Sequence, residues 1–148
     1  MTAAWPLVVD RLVQLLPSLT GWDDVAVFDG PPVTQDAPAN YLTIGFVLGE
    51  DAAGEIERIT HGVAGMLEEL GSIRCELVCT TGETDLSGMR AKAFALVDSW
   101  QAEVSRDQSL GVLSPSSTTA LSVEVLPAQT DAGASQRLVV TLNYFSRS

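Results

Sequence analysis

From Ser72 to Cys79 the chain alternates with a period of two: Ile73, Cys75, Leu77 and Cys79 fall on one side, and Ser72, Arg74, Glu76 and Val78 on the other. Successive side chains of a strand point to opposite faces, so this run predicts a strand with one face in a core. One strand can neither satisfy its backbone nor bury that face alone. The rest of the chain must therefore supply a sheet and a layer to cover it. Two later runs have the same period. Leu121, Val123 and Val125 alternate with Ser122 and Glu124, and Leu138, Val140, Leu142 and Tyr144 follow after a loop around Asp131, Ala132 and Gly133. Together they predict a β-hairpin with a long tip. Tyr41 to Leu48 predicts another strand, with Leu42, Ile44, Phe46 and Leu48 on one face and both faces at least partly buried. Val25 to Asp29 predicts a short one, ended by Gly30, Pro31 and Pro32.

Two segments have the helical period instead. Over residues 4–16, Trp5, Val8, Val9, Leu12 and Leu16 recur at steps of three and four, with Pro6 in the first turn and Pro17 as the stop. The second helix starts at Asp85, a residue suited to an N-cap, and ends near residues 105–108. Its stripe is Leu86, Met89, Ala93, Val97, Trp100 and Val104, and truncation of Phe94 or Val97 is expected to be costly. Residues 49–70 are ambiguous: Ile56, Ile59, Val63, Leu67 and Leu70 fit a helical stripe, but Gly62 and Gly65 each weaken a helix by about 1 kcal/mol relative to Ala. The order of elements predicts one α+β domain over residues 1–148, a mostly antiparallel sheet with two helices packed on one side.

With 148 residues, 46% of them hydrophobic and 18% charged, the chain has the composition of a packed globular domain. No apolar run reaches the roughly 18 residues of a membrane span, and no basic leader precedes the first helix, so neither secretion by a signal peptide nor anchoring is expected. The net charge of −11, from 19 acids against 8 bases, opposes binding to a phosphate backbone.

The sequence offers no catalytic, cofactor-binding or metal-binding constellation. Cys75 and Cys79 on a strand would stand about 13 Å apart at ~3.3 Å per residue, too far for a disulfide. With His61 the only histidine, a zinc site of three or four protein ligands lacks donors, so both thiols are expected reduced and packed. His61 has no Ser or Asp partner in a recognisable motif, which leaves a surface or turn histidine. The pairs Glu50 and Asp51, Glu55 and Glu57, and Glu68 and Glu69 lack calcium-loop spacing and suit a solvated face. Gly30 precedes prolines and no P-loop ending occurs. Trp5 and Trp100 sit on helical stripes that suggest core, while Trp22, in a turn, is expected at an exposed surface.

Residues 72–111 resemble small tail-completion proteins of siphophages, the tail terminators. The likeness lies in Ser72-Ile73-Arg74-Cys75-Glu76-Leu77, Gly82-Glu83-Thr84-Asp85, Arg90-Ala91-Lys92-Ala93-Phe94-Ala95-Leu96-Val97 and Arg106-Asp107-Gln108-Ser109-Leu110-Gly111. Asp29-Gly30-Pro31 before a strand at Tyr41, and the strand from Gln136 to Arg147, are similar too. The resemblance implies a tail-terminator-like α+β subunit without enzymatic activity or cofactor, forming a ring, commonly a hexamer. That ring would cap the tail tube at its head-proximal end in the virion, after assembly in the cytoplasm of the host bacterium. Its partners would be further copies, the tail tube protein and neck or head-completion proteins; DNA would pass through its lumen without specific binding, and no membrane would be involved. It also implies that residues 55–70 are the incoming arm of a β-hairpin, against the helical period. A related neck or tube-joining protein, and a small ligand-binding α+β domain of the cell, are the alternatives. The loop over residues 30–40 and the acidic stretch over 49–57 are long enough for contacts to neighbours.

Overall fold

The computed structural model describes residues 3–32, 38–60, 62, 66–130 and 133–147. His61, Val63 and Gly65, residues 33–37 of the predicted loop, and Asp131 and Ala132 of the predicted hairpin tip lie outside them.

Helix α1, Ala4–Leu15, follows the predicted stripe, burying Val8, Val9, Leu12 and Leu15, and runs into a 3-10 turn at Leu16–Ser18 that contains Pro17. After it, Trp22 is only 1% exposed, against the expectation of a surface position. Its indole N–H donates to the Leu96 carbonyl at 3.1 Å, and its ring meets Trp100 edge-on with centroids 6.2 Å apart. A backbone turn can still send an aromatic ring inward, and the large area such a ring buries decides the matter.

Strand β1, Ala26–Asp29, pairs in parallel with β2, Asn40–Ile44, and all other strand pairings are antiparallel. Strand β2 is buried on both faces at Leu42, Thr43 and Ile44 but stops short of the predicted end. Gly45 takes φ +70°, a left-handed conformation that turns the chain out of the sheet, and Leu48 is 69% exposed. Within the ambiguous segment, Gly54–Thr60 forms β3, antiparallel to the first half of the 14-residue β4, Leu67–Thr80. The helical period is overturned at its described positions, since Ile56 and Ile59 lie on β3 and Leu67 and Leu70 on β4.

Helix α2, Leu86–Arg106, is capped as expected: the Gly88 N–H donates to Asp85 Oδ1 at 2.9 Å. It buries Ala93, Leu96, Val97, Trp100 and Val104. Phe94 lies off that stripe and is 36% exposed, so its truncation does not open the core. The final hairpin is β5, Thr118–Val125, and β6, Ser135–Arg147. The six-stranded sheet has the order β1-β2-β4-β6-β5, with β3 joined to β4 off that path. Both helices cover the face that carries Ile73, Cys75, Leu77, Leu138, Val140 and Leu142.

Leu96→Ala is expected to lower unfolding free energy by about 2–5 kcal/mol, the usual cost of a large core truncation. Phe94→Ala should cost under about 1 kcal/mol. Denaturant midpoints of the two variants measure the difference, and equal losses would place α2 on the wrong face.

Candidate functional site

Strand β4 is longer than β2 can pair, and it gives one edge to two partners in succession. Ile44 lies opposite Cys75 and Gly54 opposite Ile73, so β2 and β3 are collinear pieces of one interrupted strand. At the interruption the Gly45 N–H donates to the Arg74 carbonyl and the Arg74 N–H donates to the Ala53 carbonyl, each at 2.8 Å, while residues 46–52 loop out. This excursion is pinned: Thr43 Oγ1 donates to the Phe46 carbonyl at 2.8 Å, and the Leu48 N–H donates to Glu76 Oε2 at 3.1 Å. Glu76 is itself buried, paired with Arg137 from β6. Glu50 reaches Arg74 at 3.2 Å.

The end of the sheet beyond Arg74 consists of β3, β4, β6 and β5, and a buried carboxylate holds it together. Glu69 is 5% exposed, which corrects its reading as part of a solvated face. Its Oε2 accepts from the Tyr144 hydroxyl at 2.7 Å and the Ala4 N–H at 2.9 Å, and its Oε1 accepts from Arg58 Nε at 3.1 Å. The Ala4 N–H is one of the donors a helix leaves unsatisfied at its start, where negative charge is favoured. One side chain thus ties α1, β3 and β6 to β4. Burial, then the hydrogen bond and charge of Glu69, push the Tyr144 phenol well above its ordinary value, so it stays a donor. Glu68, the other member of the pair, meets Arg147 at 3.1 Å.

Two glycines make this packing possible. A Cβ on Gly71 would lie 2.2 Å from Cζ of Tyr144, its cross-strand partner, so the phenol ring occupies the side-chain space Gly71 leaves empty. A Cβ on Gly54 would lie 1.9 Å from the Ser72 carbonyl, which accepts the Trp5 indole N–H at 2.9 Å. A signal that could have found this site is Gly71 within a strand, a mark of close approach absent from the sequence-based expectations. Glu69, one acid among many, gave none.

Around this node Ile56, Ile59, Met66 and Leu70 are exposed, Ile56 on the helix-covered face of the sheet and Ile59 and Leu70 on the other, the face of Glu55 and Glu57. The depression here is open, and Glu55, Glu57, Leu70, Ser72, Asn143 and Tyr144 are among the residues that line it.

The residues singled out for chemistry do not converge. Cys75 and Cys79 are both free and buried. Burial pushes the Cys75 thiol up to about 12 and the Cys79 thiol to about 11 from an ordinary 9.0, which suppresses the thiolate a nucleophile needs. Among the described residues no group of three His, Cys, Asp or Glu could hold a metal ion, and His61 lies outside them. Among the same residues no helix is long and apolar enough to cross a membrane. No protein-family model matches the chain, and no curated protein is a significant match.

Gly71→Ala is expected to destabilise the fold by about 1–3 kcal/mol through overpacking against Tyr144, and by less where Tyr144→Ala has vacated the space. A double-mutant cycle in denaturant reads the coupling, and additive losses would refute the contact. The thiols give a pH prediction. Their folded values are raised, so the unfolded chain ionises first as pH rises. Their contribution is intact below pH 9.0 and is lost as pH climbs from there toward about 12. Replacing Cys75 by Ala should flatten that part of the stability profile, and an unchanged slope would contradict it.

Proposed function

We propose that the chain is a structural subunit of a long-tailed bacteriophage: a tail terminator that forms a ring, commonly of six copies, at the head-proximal end of the tail. There it stops growth of the tube and presents a surface to the neck. The observation that carries this reading is the hairpin of β3 and the start of β4. The resemblance implied an incoming hairpin arm over residues 55–70, against the helical period; Gly54–Thr60 is a strand, whereas residues 67–70 already belong to the returning β4. That arm leaves Ile56 and Ile59 in solvent while Glu69 and Tyr144 fix its base. Exposed apolar side chains on a braced arm suit contact with another protein surface. They do not suit turnover of a small substrate, which needs an enclosed pocket with convergent polar groups. The net charge of −11 fits a lumen that lets DNA pass without adhesion.

Mass measurement in solution and negative-stain imaging test the reading. A closed ring of several 15.7 kDa copies is expected, with no retention of duplex DNA at physiological salt. A monomer at micromolar concentration that carries a co-purified metabolite would favour a cellular ligand-binding domain instead, and micromolar DNA affinity would remove the lumen argument.

A further inference from the structure

Strands β3 and β5 are the two outer edges of the four-stranded end of the sheet, and among the described residues neither has a partner on its outer side. They are 7 and 8 residues long and contain no Pro; of the charges that natural edges use to discourage pairing, β3 carries Glu55, Glu57 and Arg58 and β5 only Glu124. Both expose β-branched apolar side chains: Ile56 and Ile59 on β3, Val123 and Val125 on β5. Long edges with unpaired backbone groups are templates for another strand.

We infer that these edges are the two halves of one contact between copies of this chain, in which β3 of one copy adds antiparallel to β5 of the next; the inference rests on the ring reading and names its surface. Strand direction is the first argument. Because β3 with β4, β4 with β6 and β6 with β5 are all antiparallel, β3 and β5 point opposite ways. Copies related by rotation about an axis along the strands therefore bring β5 against β3 in antiparallel sense, and the ladder continues without a break. The second argument is the faces. Across the sheet Ile56 lies level with Gly71, Tyr144 and Thr119, so it shares a face with the row Thr119, Leu121, Val123 and Val125. Glu55 and Glu57 share the opposite face with Ala120, Ser122 and Glu124.

Closing a sheet into a ring tilts the strands from the ring axis, and that tilt staggers their pairing. A slide of about two residues preserves the faces. It seats Ile56 beside the neighbour's Leu121 and diagonal to Val123, and it sets Glu55 and Glu57 against Ser122 and Ala120, with Glu124 diagonal to Glu55. The contact is head-to-tail, so it propagates from copy to copy and ends only by closing on itself.

The head-to-tail geometry gives a decisive test with Ile56→Lys, which spoils β3, and Val123→Lys, which spoils β5. Each variant alone is expected to lose assembly and sediment as a monomer with the circular dichroism of the wild type. Mixed in equal amounts, they should form a one-to-one pair and nothing larger, because one intact β5 then meets one intact β3. Backbone amide exchange of the wild type over a dilution series needs no variant: residues 54–60 and 118–125 should exchange more slowly in the assembled state. Assembly by either variant alone as in the wild type, or unchanged exchange in both segments of an assembled ring, would overturn this contact and leave the ring standing. A wild-type monomer would overturn both.

Discussion

The ladder between β4 and β6 is the constraint on which the rest of the subunit depends. It runs unbroken from Glu68 opposite Arg147 to Thr80 opposite Ser135, and it joins strands that are separated in the chain by α2 and β5. Its helix-covered face carries Ile73, Cys75, Leu77, Leu138, Val140 and Leu142, so the two strands form the floor on which both helices bury their stripes. The remaining edges then receive β5 on one side and β2 with β3 on the other. Pairing of such long sequence separation must bear the loop-closure entropy before its contacts form, which makes this ladder the slow, committing step expected of folding.

Much of this was legible in the sequence. The alternation over Ser72 to Cys79 and over Leu138 to Tyr144 fixed which side chains face the core, because a one-residue error in a half-buried strand would put all of them in water. Asp85 marked the start of α2 through a local hydrogen bond, which depends only on nearby residues. What failed was of another kind. Ile56, Ile59 and Leu70 face solvent, so no core imposed a period on them, and chance spacing mimicked a helix. Trp22 and Glu69 owe their burial to Trp100 and Leu96, and to Tyr144, Arg58 and Ala4, partners distant in the chain that no local pattern announces. Of the candidate surface, only the β3 arm was expected, through the family resemblance, and Gly71 went unread.

Two buried carboxylates divide the work of holding the irregular parts to β4. Glu69 lies on the helix-covered face and fastens the arm and the start of α1; Glu76 lies on the other face and fastens the excursion through Leu48, with Arg137 as its counter-charge. A buried charge that loses its partner is costly, commonly about 3–5 kcal/mol, whereas a fully partnered one contributes geometry more than stability. Glu69 and Glu76 therefore act as position-setting devices. Glu69 thereby fixes where β3 stands against β4 and the start of α1.

The looped-out residues 46–52 have a meaning for how such a chain changes over generations. Because Arg74 bonds Gly45 on one side and Ala53 on the other, the two flanks of the excursion are locked to the same residue whatever lies between them. Only Val47 is buried within it, and the part from Leu48 to Ala52 is exposed. Added or lost residues there leave the register of β2 and β3 untouched, since neither strand counts the residues of the loop. The sheet thus contains a length-neutral joint at which a lineage can lengthen, shorten or recharge a surface loop, and at which a peptide tag can be spliced, without renegotiating a single pairing in the core.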